Sequence, residues 1–302
     1  TVPCGRAGAG ARTVIGASTD GLGPLRQAGD LVRQAQAAAA EMTRAPAPTG
    51  LDVAGGRERT VALAQVPLED VRAAGRLHEA TVNDVLLTAC ALALGRSLER
   101  RGEEAATLRA LVPVSVRAAG DTGLGNRISF LPCDLPVGAT DPVRAVRRVR
   151  RQMRGRKESG QAQPLAALAR AADALPAAGR RRLTRTIAGR LDFTTIVSNV
   201  PGPPIPLHLM GRRLRAVHPA VPILRGHALT IGAVSYDGIL CLGLYGDPRV
   251  VDDLDRTAAD LVWAFETLGA SARPAPTPWQ ARALARRRRP AAAEPDQRAA
   301  SR

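Results

Sequence analysis

The spacing of apolar residues divides the chain into alternating helical and extended runs. Residues 25–45 (LRQAGDLVRQAQAAAAEMTRA) combine strong helix formers with apolar positions at Leu25, Leu31 and Val32, which predicts a helix. The prolines and glycines of APAPTGLDVAGG end it. Over 60–66, apolar and polar residues alternate with the two-residue period of a strand, and 68–76 reads as a short helix. Thr81 stands where an N-cap belongs, with Asp84 three positions on to complete a capping box. The helix behind it, ending at Gly102, is apolar on nearly every side as far as Arg96 and is therefore expected to be buried all round.

Further on, LRALVPVSVR and NRISFLPCDLP predict two strands separated by the glycine-rich loop AAGDTGLG. Residues 141–191 read as arginine-laced helices interrupted near Gly160, Pro164 and Pro176. DFTTIVSNV predicts a strand that runs into the turn PGPP. In HALTIGAVSYDGILCLGLYGD, two β-rich runs flank Tyr236-Asp237-Gly238, a hairpin signal. RVVDDLDRTAADLVWAFETLG places Val250, Leu254, Leu261, Phe265 and Leu268 at helical spacing, with acidic residues near its start where the helix dipole favours them. From Ala270 onward Pro, Ala and Arg dominate, so 271–302 reads as a disordered tail. Interleaved helices and strands make the fold class α/β with a mixed sheet.

Composition narrows the function classes. Hydrophobic residues make up 45% of the 302, enough for a sizeable core, but aromatics only 2%, so that core must rest on many small aliphatic contacts. The formal net charge of +16 raises nucleic acid or an anionic membrane surface as partners. Lys157 is the only lysine, however, and an Arg-for-Lys bias of this kind is what a GC-rich genome writes throughout a chain. Base-stacking platforms are also nearly absent, which argues against nucleic acid. Cys4, Cys90, Cys133 and Cys241 form no C-x-x-C pair and read as reduced thiols of a cytoplasmic protein, three of them in apolar runs. No run of eighteen apolar residues is present, and the N-terminus lacks the apolar core of a signal peptide. The chain opens on Thr1 rather than Met, which points to a truncated or misassigned start.

Three stretches together resemble the bacterial wax ester synthase/diacylglycerol acyltransferase family, mainly its C-terminal domain: TVNDVLLTACALAL (81–94), VPVSVR with GNRISFLPCDLP (112–136), and SNVPGPPIPLHLMGRRLRAVHPAVPILRGHALTIGAVSYDGILCLGLYGD (198–247). The resemblance covers roughly 25–270, in order. It implies a chloramphenicol-acetyltransferase-like fold, in which two α/β domains face each other across a channel. On that basis 1–24 is a loose N-terminal segment, 25–66 a crossover helix and linker, 67–270 the acyltransferase C-terminal domain, and 271–302 the tail. The implied activity is transfer of an acyl group from acyl-CoA, as co-substrate and with no further cofactor, to diacylglycerol or a long-chain alcohol. The family's base is the second histidine of an N-terminal H-H-x-x-x-D-G motif. Here the four histidines are His78, His208, His218 and His227, no two adjacent; Ile15 to Gly21 keeps only the Asp-Gly. The expectation is a chain inactive alone, completed by an N-terminal half or homologous chain. A non-catalytic scaffold on a partner acyltransferase or lipid droplet is the alternative, and peripheral contact with the inner membrane face is a further expectation.

Asn83 and Asp84 are supporting candidates: Asn83 faces the channel or bonds a neighbouring loop, and Asp84 caps the buried helix. Ser198, Asn199, Pro201 and Gly202 form a stiff strand exit that either presents polar groups to substrate or packs at the domain interface. His227, at a strand start, is either a channel residue or a hydrogen-bonded structural histidine. The arginine clusters at 147–156, 180–185 and 286–289 are solvated faces or contacts for CoA phosphates or an anionic membrane. No metal-ligand spacing or phosphate-binding glycine loop is present.

Overall fold

The computed structural model describes residues 48–53, 56–115, 128–158, 192–224 and 226–270. The helix expected at 25–45, the Ile15–Gly21 segment, the loop AAGDTGLG, the cluster at 180–185 and the tail from 271 lie outside them. The elements run β1 (Thr60–Pro67), α1 (Leu68–Leu77), α2 (Val82–Arg100), β2 (Leu108–Ser115), β3 (Ile128–Leu135), α3 (Pro142–Glu158), β4 (Thr195–Pro201), β5 (His208–Leu209), β6 (Arg212–Arg213), β7 (Leu229–Tyr236), β8 (Ile239–Gly246) and α4 (Leu254–Ala270). Six strands form one mixed sheet in the order β1-β8-β7-β4-β2-β3, while β5 and β6 make a separate two-stranded ribbon. Only β7–β4 and β4–β2 are parallel; the other neighbours are antiparallel. β1, within the stretch read as linker, pairs along its whole length with β8.

Helix α2 organises one face of this sheet. It is buried from Asp84 through Gly95, and it packs on α1, α3, α4 and β3. The capping box that starts it is present: Thr81 N–H donates to Asp84 Oδ2 at 2.9 Å, and Asp84 N–H donates to Thr81 Oγ1 at 3.2 Å. Alternate residues of every sheet strand (Ala62 and Val66, Ala110 and Val112, Leu131 and Cys133, Val197, Ile231, Leu242) join one apolar cluster with all four helices. The helices therefore share one face. Asp260 of α4 accepts from Arg96 at 3.0 Å and from Arg100, clamping α4 to α2, and the Arg96 guanidinium lies 4.1 Å above the Trp263 ring.

The helix predicted over 249–269 begins only at Leu254, because Asp247 holds the chain in turns first: its backbone carbonyl accepts from Val250 and Val251 N–H, and its carboxylate from Arg249 N–H. Asp255 is consequently the acidic residue in the first turn. The outer strand β3 is tied to α3 by Gln152, whose amide accepts Asp134 N–H at 3.1 Å and donates to the Asp134 carbonyl at 2.9 Å.

Among the described residues, the opposite face carries a chain segment and no helix. Gly232 and Gly243 are cross-strand partners there, and a Cβ at either would run into Pro219: its ring at 2.8 Å for Gly232, its carbonyl for Gly243. Their lack of side chains lets residues 218–221 lie directly on the sheet. Gly243→Ala should destabilise the fold by about 1–3 kcal/mol through overpacking, read as a lower midpoint in urea unfolding. Thr81→Ala should cost about 1 kcal/mol in the same measurement by removing the cap of α2.

Candidate functional site

Along β4 burial falls from Thr195, Ile196 and Val197 to half-buried Ser198 and Asn199 and then to exposed Val200 and Pro201. Strand alternation and register put Ser198 beside Gly232 on the helix-free face and Asn199 beside Ala233 on the helix face. The turn after it is tightly held. Gly202 N–H donates to Ser235 Oγ at 3.1 Å, a Cβ on Gly202 would strike the Ser235 carbonyl, and Asp237 N–H donates to the Pro203 carbonyl at 3.2 Å. Because the Gly202 N–H is already used, it is no free oxyanion donor. The side chains of Ser198 and Asn199 make no hydrogen bond among the described residues, so their polar atoms remain available.

From that turn the chain makes an excursion to Leu224 that sequence patterning did not reveal. Tyr236, 1% exposed, holds its base: the phenol oxygen accepts Leu207 N–H at 2.8 Å and donates to the Leu214 carbonyl at 2.9 Å. Beyond it projects the β5–β6 ribbon, turning at Met210 and Gly211, both at positive φ, with Met210 97% exposed. The one cue in the sequence was the glycine of Met210-Gly211, which a methionine beforehand disguises.

His218 closes the excursion onto the sheet. Its Nδ1 lies 2.9 Å from the Leu242 carbonyl and its Nε2 3.1 Å from Gln65 Nε2. A carbonyl can only accept, so Nδ1 carries the proton and Nε2 accepts from the Gln65 amide. Both ring nitrogens are then engaged in holding β8, β1 and the excursion together.

His227 lies apart from these residues. It precedes Leu229, whose partner on β4 is Thr195, whereas Pro201 pairs with Ser235. Six residues separate Leu229 from Ser235, so His227 and the Pro201-Gly202 turn stand about 20 Å apart at opposite ends of the strand pair. Its ring stacks on Phe193 with centroids 3.7 Å apart and 19° between planes. Burial lowers its pKa, and the Asp52 carboxylate, a hydrogen bond to the Phe193 backbone and the Asp192 carboxylate offset this only partly. Nδ1 is buried without a partner among the described residues, while a hydrogen bond to the Phe193 backbone and stacking on its ring hold the side chain. Asn83 is half-buried at the start of α2, and Asp84 is engaged in the capping box through Oδ2 while Oδ1 is buried without a partner among the described residues.

Other chemistry is quiet. Burial pushes the Cys133 thiol up to about 12 and the Cys90 thiol higher still, so neither is a thiolate nucleophile. No group of His, Cys, Asp and Glu among the described residues has metal-binding geometry. A cavity of 530 Å³ lies between the C-terminal half of α2 and the β3–α3 connection, lined by Gly95, Glu99, Glu103, Glu104, Val137 and Gly138 among others, and none of the candidate residues lines it. No single helix among the described residues is long and apolar enough to cross a membrane.

Two family models match the chain: the wax ester synthase/diacylglycerol acyltransferase catalytic domain over residues 5–86, and the WS/DGAT C-terminal domain over 124–269. The probable diacylglycerol O-acyltransferase tgs1 of Mycobacterium tuberculosis is 34% identical over 209 residues, covering 66% of this chain and 44% of that protein. Another Mycobacterium tuberculosis protein bearing a diacylglycerol O-acyltransferase name is 32% identical over 267 residues, 85% of this chain and 53% of its own length. The chain thus spans about half the length of these relatives. Among solved structures, the wax ester synthase/diacylglycerol acyltransferase of Marinobacter aquaeolei VT8 superposes with a TM-score of 0.60 at 24% identity, covering 82% of this chain and 57% of that one. The first condensation domain of the calcium-dependent antibiotic synthetase gives 0.53 at 20% identity, covering 83% and 53%. These two likenesses show the fold, a mixed α/β sheet of the condensation-domain and chloramphenicol-acetyltransferase kind. The family models and the sequence relatives together show that the chain belongs to the wax ester synthase/diacylglycerol acyltransferase family.

Proposed function

We propose that the chain forms one half of an acyl-CoA-dependent O-acyltransferase whose acceptor is diacylglycerol or a long-chain alcohol, and that a second half supplies the catalytic base. The observation that carries this reading is the pair of family matches across a chain half as long as its relatives. In the reaction, a base removes the acceptor's hydroxyl proton as the oxygen attacks the thioester carbonyl carbon. The carbon–sulfur bond breaks, and the CoA thiolate leaves and takes up a proton.

The described histidines are poor candidates for that base. His218 has both nitrogens engaged. His78 is buried with Nε2 3.4 Å from the Leu268 carbonyl, and His208 sits on the exposed ribbon. His227 is stacked and lies far from the Ser198–Gly202 exit. What the described residues offer a substrate is polar and apolar surface: Ser198 and Asn199 beside a rigid turn, and the sheet face opposite the described helices, with Leu63 55% and Val200 51% exposed. A second half covering that face would enclose a channel between the two and shield it from water.

The test is acyl transfer from radiolabelled palmitoyl-CoA to diacylglycerol and to hexadecanol. Supplying an H-H-x-x-x-D-G-bearing half in trans should raise the rate over this chain alone by about 10²–10⁴-fold, the usual contribution of general base catalysis. Equal turnover by the isolated chain would sink the two-half reading. No turnover with any donor half, from a chain that folds and binds the other half, would favour a non-catalytic scaffold.

His227 gives a separate pH signature. Its pKa is lowered on folding, so the unfolded chain takes up the proton first as pH falls through the ordinary value of 6.5. Its contribution to stability is therefore fully present above that value and lost below it. His227→Phe keeps a ring against Phe193 but removes the titration, and should flatten the fall in thermal midpoint between neutral pH and about pH 5.

A further inference from the structure

We propose that the outward face of α3 docks the protein on a bilayer surface rich in anionic headgroups. Helix α3 buries Ala145, Val146, Val149 and Met153 against the core, bonds β3 through half-buried Gln152, and turns its outer side to solvent. It carries seven arginines and Lys157 against one acid, Glu158. Arg144, Arg147, Arg148, Arg151, Arg154 and Lys157 are all exposed, and they recur at three- and four-residue spacing. At 1.5 Å per residue they form a stripe about 20 Å long.

Local partners neutralise only part of it. Arg144 pairs with Asp141 at 3.4 Å and Arg154 with Glu158 at 2.7 Å, while Arg150 at the stripe's margin reaches Glu79 at 2.8 Å. Arg147, Arg148 and Arg151 have no acidic partner among the described residues. Like charges at (i, i+3) and (i, i+4) oppose helix formation, so this face is strained by its own repulsion until counter-charge arrives. A genome-wide arginine bias explains arginine in place of lysine, not a helix face nearly without acid. The other surface helices show the contrast: α1 sets Glu69 and Asp70 beside Arg72 and Arg76, and α4 carries Asp255, Asp260 and Glu266 against a single basic residue, Arg256.

A straight stripe of guanidinium groups, each able to bond a phosphate through two N–H donors, suits a plane of lipid phosphates. The exposed face of α3 bears no aromatic residue to stack on bases and no apolar residue to insert into acyl chains, so binding is electrostatic and peripheral. Choosing lipid over nucleic acid also rests on the acyltransferase reading, whose acceptors dissolve in bilayers.

The experiment is flotation of the purified chain with phosphatidylcholine vesicles, with and without phosphatidylglycerol, at low and high salt. The chain should float with the anionic vesicles at low salt and be released at high salt. Arg147→Gln/Arg148→Gln/Arg151→Gln should weaken that binding about a hundredfold, from about 1 kcal/mol per basic residue. Arg57→Gln/Arg72→Gln/Arg212→Gln, which removes the same charge from elsewhere, should lose far less. Equal loss in both triples, equal binding to neutral vesicles, or displacement by free coenzyme A would overturn the proposal. So would tight binding to duplex DNA that the α3 triple alone abolishes. Flotation needs no turnover, so this idea and the acyltransferase reading fail separately.

Discussion

A helix that is apolar on nearly every side must be covered on every side, and the architecture follows from satisfying α2. Three helices and the sheet enclose it, which draws the four described helices to one face. Gly95 is part of the same requirement, since a Cβ there would collide with the Val137 backbone carbonyl and push the helix off the end of β3. With aromatics at 2% of the chain, aliphatic side chains do nearly all of this covering, and close backbone approach at glycine compensates for their small size.

Among the described residues, the helices lie on one side of the sheet and an excursion of chain lies on the other. Bare glycine on β7 and β8 lets Pro219 rest on the sheet, Tyr236 ties down the base of the excursion, and His218 fastens it to β8 and to the edge strand β1. Surface on either side of it stays open, from Val61 and Leu63 on β1 to Phe130 on β3 and Val200 on β4. The same face receives the rigid exit of β4. Fold and candidate site are thus consequences of one asymmetry.

Most elements were legible because their patterns are local. The period-two run of β1, the β-rich runs of β7 and β8 with their turn at Asp237-Gly238, and the capping box at Thr81 each follow from neighbouring residues. The family resemblance was legible for the same reason, being carried by ordered contiguous stretches. Long-range partnerships were not: nothing near position 218 announces Gln65 or Leu242, and nothing near 227 announces the Phe193 ring. Nor does sequence order show that parallel pairing of β4 and β7 sends His227 and the Ser198–Gly202 exit to opposite ends of the strand pair. The late start of α4 was hidden because Asp247 competes for backbone groups that helical periodicity assigns to the helix.

The amide of Gln152 imitates a peptide unit. Placed against the free side of β3, it occupies the donor and acceptor of Asp134 that an incoming strand would use, and Pro132 two residues earlier has no N–H to offer. That rim is closed to lengthwise zippering over its second half. A strand of another copy is therefore kept from pairing along that half of β3, which protects this rim of the sheet from edge-to-edge growth.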